Sequence, residues 1–302
     1  MSFAIAIHSL LCTAHAEESP HFSGDSAFSR LQTLVSRGER YYDAPDRQSQ
    51  IEYLSAELSH QGWNVQIQSF PALEQTSNIQ YQLSNIIAID PKPYSKRIIL
   101  GSHWDTRLWA EEDPNPFLRK KAIPGANDGS SGVALLLEIA HTLAQNELSN
   151  TAVDIIFFDG EEFGRPQKGD YCKGSEYFVQ HIEEIYPYQP SGVIIFDMIA
   201  DRDLILENEG HSISASSALW NSVQKQLFEN HVVFSSQKRN IRDDQHPFIK
   251  MGIPAILLID LSYPYWHTHS DTLDKCSPKS LGQIGQSIIS WLFENDTSIS
   301  GR

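Results

Sequence analysis

Cysteine is scarce in this chain, with three in 302 residues. One of them, Cys12, falls in an N-terminal segment that reads as removable. The remaining Cys172 and Cys276 make no disulfide scaffold, and neither belongs to a CxxC pair. In an oxidising compartment the two can bond to each other; otherwise both suit buried sites as small hydrophobes. Basic runs are missing as well. A net charge of −15 argues against a nucleic-acid partner, which needs clustered Lys and Arg. There is no uninterrupted apolar run of membrane-spanning length. Internal repeats, linkers and low-complexity tracts are also absent, which points to one domain.

What is present is enough apolar material, 40% of residues, for a single large α/β core. Residues 3–11 are apolar and lead into Ala14-His15-Ala16, an A-x-A-like cleavage site. No Lys or Arg precedes that run, as a full leader would have. Leu11 before Cys12 is too large for a lipoprotein signal. The expectation is a signal peptide over 1–16, a mature chain over 17–302, and export to the periplasm or secretion.

Apolar periodicity predicts helices over 27–42 and 48–62, then strands over 64–70, 79–90 and 97–102. Residues 109–125, with Asp113-Pro114-Asn115-Pro116, read as a long surface loop of the kind that often carries function. Ser130-Ser131 can cap a helix over 132–145. Residues 152–158 form a continuous apolar strand suited to burial on both faces. A second loop over 164–173 leads to a helix over 175–184. Further strands are expected over 193–196 and 253–259, and further helices over 217–230 and 278–294. Strands alternating with helices predict an α/β domain with a mostly parallel central sheet and helices on both faces.

Acid and imidazole groups gather where those strands end. Ile156-Phe157-Phe158-Asp159-Gly160-Glu161-Glu162 closes a strand with two adjacent carboxylates, which point in different directions and can do two jobs. His103 and Asp105 follow another strand, Asp128 precedes a helix, Asp197 ends a strand, and Trp266-His267 lies beyond the last strand. Taken singly, a carboxylate at a strand end is more often a helix cap or a solvated turn, and a lone His more often packs than ligates. Together they lie on the rim where open α/β sheets bind ligands. Nitrogen and oxygen donors of these types suit zinc.

These segments resemble the zinc exopeptidase superfamily, and within it the animal-type glutaminyl-peptide cyclotransferases. The resemblance runs from about residue 50 to the C-terminal helix. It is carried by Ser84-Asn85-Ile86-Ile87, Gly101-Ser102-His103-Trp104-Asp105, Gly125-Ala126-Asn127-Asp128-Gly129, Asp159-Gly160-Glu161-Glu162, Asp243-Asp244-Gln245-His246-Pro247-Phe248 and Trp266-His267-Thr268. It implies that Asp128, Glu162 and His267 bind Zn2+ and that Glu161 is the acid/base. It also implies that Asp197 and Asp243 hold substrate and the proton network, and that Trp266 walls the pocket. His103 and Asp105 match either ligands of a second zinc or hydrogen-bonded support.

The substrate so implied is a peptide or protein N-terminus. The favoured reaction is cyclisation of N-terminal glutamine to pyroglutamate with loss of ammonia, using one zinc per chain. The alternative is a two-zinc aminopeptidase. Three positions depart from the cyclase pattern: the loop after Glu162 lacks a Trp, Arg242 replaces a Gln, and Leu257 stands where a His bonds to the counterpart of Asp243.

Overall fold

The computed structural model describes residues 19–296 other than Gln167 and Tyr188. The expected leader over 1–16 lies outside the described residues. Among the described residues, eight strands and eight α-helices follow in chain order. The strands are β1 (Asn64–Glu74), β2 (Ile79–Ile89), β3 (Lys96–His103), β4 (Thr151–Phe158), β5 (Gly192–Asp197), β6 (Ile205–Glu209), β7 (Val233–Arg239) and β8 (Ala255–Ile259). The helices are α1 (Gly24–Ser36), α2 (Arg47–His60), α3 (Ser131–Gln145), α4 (Lys173–Gln180), α5 (Gly210–Ala215), α6 (Ser217–Glu229), α7 (Gln245–Lys250) and α8 (Pro278–Asn295).

The main sheet has the order β1-β2-β4-β3-β5-β8. Strands β4, β3, β5 and β8 are mutually parallel, and the β1–β2 hairpin joins antiparallel at one edge. Every residue of β4 and β5 is buried, as expected for strands covered on both faces. Successive side chains feed opposite cores. Ile155, Phe157, Ile194 and Phe196 pack with α1, α2, α3, α6 and α8. Ile156, Phe158, Val193 and Ile195 pack with Phe178 of α4 and Phe248 of α7. Because the four central strands are parallel, their carboxyl ends share one edge, and that edge carries the site.

Local chemistry moves some boundaries. The first helix stops at Ser36, short of the expected 42, because Gly38 takes φ 93° and the amides of Arg37 and Gly38 close on the carbonyls of Leu34 and Val35. Strand β1 continues past 70 through Pro71; an edge strand tolerates a residue without an N–H. Ser130 precedes α3 but does not cap it. Its hydroxyl donates instead to the carbonyl of Gly125 at 2.5 Å and accepts from the buried Arg40. The separate parallel pair β6–β7 and the short helices α5 and α7 lack the apolar periodicity that would announce them; β7 is largely exposed.

Cys172 and Cys276 are both buried free thiols. No helix among the described residues is long and apolar enough to cross a membrane.

Helix α3 docks closely because Gly132 has no side chain. A Cβ there would lie 2.2 Å from Ser102 Oγ and 2.8 Å from the carbonyl oxygen of Phe196. Gly132→Ala should therefore push α3 off β3 and β5 and lower stability by about 1–3 kcal/mol, measured as a shift in the urea midpoint. An unchanged midpoint would contradict this packing.

Candidate metal centre

Each functional side chain is delivered by a strand end or by a strained turn. His103 is the last residue of β3, and Asp197 is the last of β5. After β4, Gly160 at φ 71° turns the chain into a single 3-10 turn over Glu161–Phe163, which splays the two carboxylates. Asp128 sits in the loop before α3 between Gly125 and Gly129, both at positive φ. The amides of Asn127 and Asp128 donate to the two oxygens of Asp271 at 2.9 and 3.1 Å, and Tyr263 donates its hydroxyl to the same carboxylate at 2.8 Å. His267 adopts φ 51° and Met198, directly after Asp197, φ 48°. Such left-handed non-glycine residues cost energy and concentrate where a site requires them.

The side chains meet in two groups that share Asp128. In the first, His267 Nε2 lies 3.0 Å from Glu162 Oε1 and 3.7 Å from Asp128 Oδ2. In the second, His103 Nε2 lies 2.9 Å from Asp197 Oδ1 and 3.4 Å from Asp128 Oδ1. Asp128 Oδ2 is buried and has no hydrogen-bond partner, a costly state for a carboxylate oxygen unless a cation takes it. Asp128, Glu162 and His267 are thus donors of the number and chemistry of a catalytic zinc site with an open fourth position.

Asp105 enters neither group. One of its oxygens accepts the Glu162 amide at 3.0 Å, and the other lies 3.7 Å from His103 Nδ1, so it braces the turn between the two groups. Glu161 points away from Glu162, toward Cys172 and Asp243.

These surroundings push the neighbouring glutamates apart. Withdrawal from water, then the nearby Glu162 and Asp243 carboxylates, raise Glu161 well above the ordinary carboxylate range. Burial would raise Glu162 too, but His267 and Arg107 outweigh it and hold this group below that range. Asp128 is raised by burial and by Glu162 and Asp197. For His267, burial favours the neutral ring, yet Glu162, Glu111 and Asp128 prevail and push it up to about 10.

A cavity of about 370 Å³ opens over this floor, lined by Glu161, Glu162, Asp197, Asp243 and His267 together with Tyr171, Ile241, Ile259, Leu261 and Trp266. Trp266 is 37% exposed, and its ring stacks on His267 with centroids 3.9 Å apart. It stands at the mouth of the cavity and is not packed in the core. Leu257 is fully buried in the apolar core, and the Asp243 carboxylate accepts the amide of Asp244. Arg242 pairs with Glu176 at 3.1 Å on the rim.

Several contributors went unseen in the sequence. Arg107 donates to Glu162 and Glu111, Glu111 contacts His267, Cys172 lies 3.5 Å from Glu161, and Asp271 holds the Asp128 loop. Arg107 and Glu111 carry an i, i+4 spacing, but in an irregular loop that spacing does not announce a pairing.

A parallel α/β sheet with carboxylate and imidazole donors at its carboxyl edge defines a fold of the zinc-dependent exopeptidase type. Residues 85–292 match Peptidase family M28, and this chain belongs to that family. Among curated relatives it is 25% identical over 262 residues to a glutaminyl-peptide cyclotransferase-like protein of Bos taurus, covering 77% of this chain and 65% of that protein. The chain therefore spans about two thirds of that relative's length. Among solved structures, Porphyromonas gingivalis glutaminyl cyclase superposes with a TM-score of 0.86 at 29% identity, covering 92% of this chain and all of that one. A Zn-dependent exopeptidase from Parabacteroides distasonis superposes with a TM-score of 0.84 at 27% identity, covering 91% of this chain and 99% of that one.

One consequence is measurable without substrate. In chelator-stripped protein His267 is protonated at neutral pH, since its pKa is pushed up to about 10. A zinc ion bound through His267 would take the neutral ring and would displace that proton. Zinc uptake at neutral pH should release protons, and apparent affinity should rise with pH until the ring is neutral unaided, near 10. Titration calorimetry in buffers of different ionisation enthalpy reads the proton count directly; a buffer-independent heat would contradict it.

Proposed function

We propose that this chain is a zinc-dependent glutaminyl-peptide cyclotransferase, converting N-terminal glutamine of peptides or proteins to pyroglutamate with release of ammonia. The observation that carries this reading is the divergence of Glu161 and Glu162 at one cavity floor: Glu162 Oε1 faces His267, while Glu161 Oε1 faces Cys172. This divergence supports one carboxylate acting as a ligand and the other as a proton carrier. The likeness to glutaminyl cyclases supports the choice of substrate.

Asp128, Glu162 and His267 would hold one zinc per chain. Zinc bound there supplies Lewis acidity toward the γ-amide carbonyl oxygen of the substrate. The remaining work falls to the protein. The cavity folds the glutamine side chain back so that the α-amine nitrogen attacks the γ-amide carbon, an intramolecular step that gains from proximity. A carbon–nitrogen bond forms to close the five-membered lactam, and the bond to the amide nitrogen breaks. Glu161 takes the proton lost by the attacking nitrogen and delivers it to the departing one, which leaves as ammonia. Asp197 and Asp243, bordering the same cavity, would hold the α-amine and the proton network, and Trp266 would close the wall over the side chain.

A second reading has its own observation. Asp128 turns one oxygen toward His103 and the other toward His267, as a carboxylate bridging two zinc ions in an aminopeptidase would. There, water would attack the first peptide bond, and His103 and Asp197 would be ligands.

Glu161→Gln keeps the shape but carries no proton; it should retain zinc while turnover falls about a hundredfold or more. His267→Ala should lose zinc and activity together. Full zinc content in His267→Ala, or loss of zinc in Glu161→Gln, would reverse the assignment of ligands.

The two readings separate on products and on metal content. The cyclase should contain one zinc per chain, and it should release ammonia from a Gln-initiated peptide with no free amino acid. Free leucine from a Leu-initiated peptide, two zinc ions per chain and no ammonia would establish the aminopeptidase.

A further inference from the structure

Arg107 is fully buried, yet it is absent from the wall of the cavity, whereas its partner Glu111 borders it. One edge of the guanidinium addresses Glu111: Nε lies 3.1 and 3.2 Å from the two oxygens, and one terminal nitrogen donates to Oε1 at 2.6 Å. The other terminal nitrogen donates to Glu162 Oε2 at 2.9 Å, to the carbonyl of Gly164 at 2.6 Å and to that of Glu162 at 3.3 Å. Glu111 Oε1 in turn lies 3.1 Å from His267 Nδ1. A planar cation therefore ties together a carboxylate and an imidazole that come from loops 105 residues apart.

We propose that Arg107 and Glu111 act as one positioning unit, which determines the atoms that Glu162 and His267 present to a zinc ion. With Oε2 engaged by Arg107, Glu162 turns Oε1 toward His267, whose Nε2 lies 3.0 Å away. With Nδ1 facing Glu111, a His267 ring that gives up one proton to a cation would keep the other on Nδ1 and offer Nε2 as the donor. The unit thus favours a single-oxygen ligand and a fixed tautomer, and it restrains a His whose backbone is already strained at φ 51°. Hydrogen-bonded partners of this kind typically change metal affinity ten- to a hundredfold. Lysine cannot replace Arg107, because a single ammonium cannot span both carboxylates as a planar fork does.

This inference rests on Asp128, Glu162 and His267 being the zinc ligands, and zinc binding tests it independently of catalysis. The purified full chain is stripped with a chelator, and its zinc affinity is measured by competition with a chromophoric chelator; Co2+ spectra report the ligand field. Glu111→Ala should weaken zinc about tenfold to a hundredfold and shift the Co2+ absorption bands, with near-ultraviolet circular dichroism unchanged. Glu111→Gln, whose amide oxygen still accepts from Nδ1, should recover part of that loss. Arg107→Lys should weaken zinc similarly; because Arg107 is buried and its variant can fail to fold, Glu111, part-exposed at 19% of its side chain, carries the decision. A folded Glu111→Ala protein with zinc affinity within about twofold of the parent and unshifted Co2+ bands would overturn the inference. Failure of the ligand assignment looks different: His267→Ala would then bind zinc as the parent does, whatever Glu111 did.

Discussion

Asp128 lies between two imidazoles, with His103 at 3.4 Å from one oxygen and His267 at 3.7 Å from the other, and Glu162 and Asp197 bring the buried carboxylates of this cluster to three. Confining carboxylates in this way is among the most expensive things a fold can do, because each loses its hydration and repels its neighbours. Much of the surrounding structure answers that cost. Asp271 grips two successive backbone amides of the Asp128 loop, so the loop is held by hydrogen bonds and not by the side chain it presents. Beneath it, buried Arg40 ties that loop to β3 through the carbonyls of Trp104 and Gly129.

The cations of the site are placed just as specifically. Arg107 meets Glu162 from the side opposite His267, and Arg47 pairs with Asp159 at the exit of β4. Removing one partner from such a buried pair is severe, since the other is left charged and unsolvated. A divalent cation held there would offset the crowding more completely than any side chain present, and as a ligand bound only by the native state it would stabilise the fold by mass action.

Members of one fold class can share a donor set and differ in reaction. In this chain His103, Glu162 and Asp197 stand at or just after strand ends of the sheet, Asp128 and His267 come from loops, and the cavity walls are drawn from residues 109–125, the turn after Glu162, residues 241–243 and the segment carrying Trp266. Of the three departures from the animal cyclase pattern, the missing Trp falls in one of these loops, Arg242 lies just before α7, and Leu257 is in the middle of β8. Arg242 makes a rim ion pair with Glu176, and Leu257 is part of the core and offers Asp243 no hydrogen bond.

The α/β class and its parallel core were legible in the sequence because β4, β5 and β8 are continuous apolar runs between amphipathic helices. Asp128, Glu161, Glu162, Asp197 and His267 were legible because each is tied to a local landmark: a strand end, a Gly-flanked turn or a Trp-His pair. The β6–β7 pair was not, since its strands are short and β7 is largely polar and solvated. Arg107, Glu111 and Asp271 were hidden for a different reason. Glu111 and His267 are 156 residues apart in the chain, and Asp271 and Asn127 are 144 apart. Hydrogen bonds at such separations leave no periodicity or spacing to read. Local sequence thus determined which donors exist and on which edge they stand; only the tertiary structure decided which oxygen and which nitrogen each one offers, because that depends on groups brought alongside by the closing of the sheet.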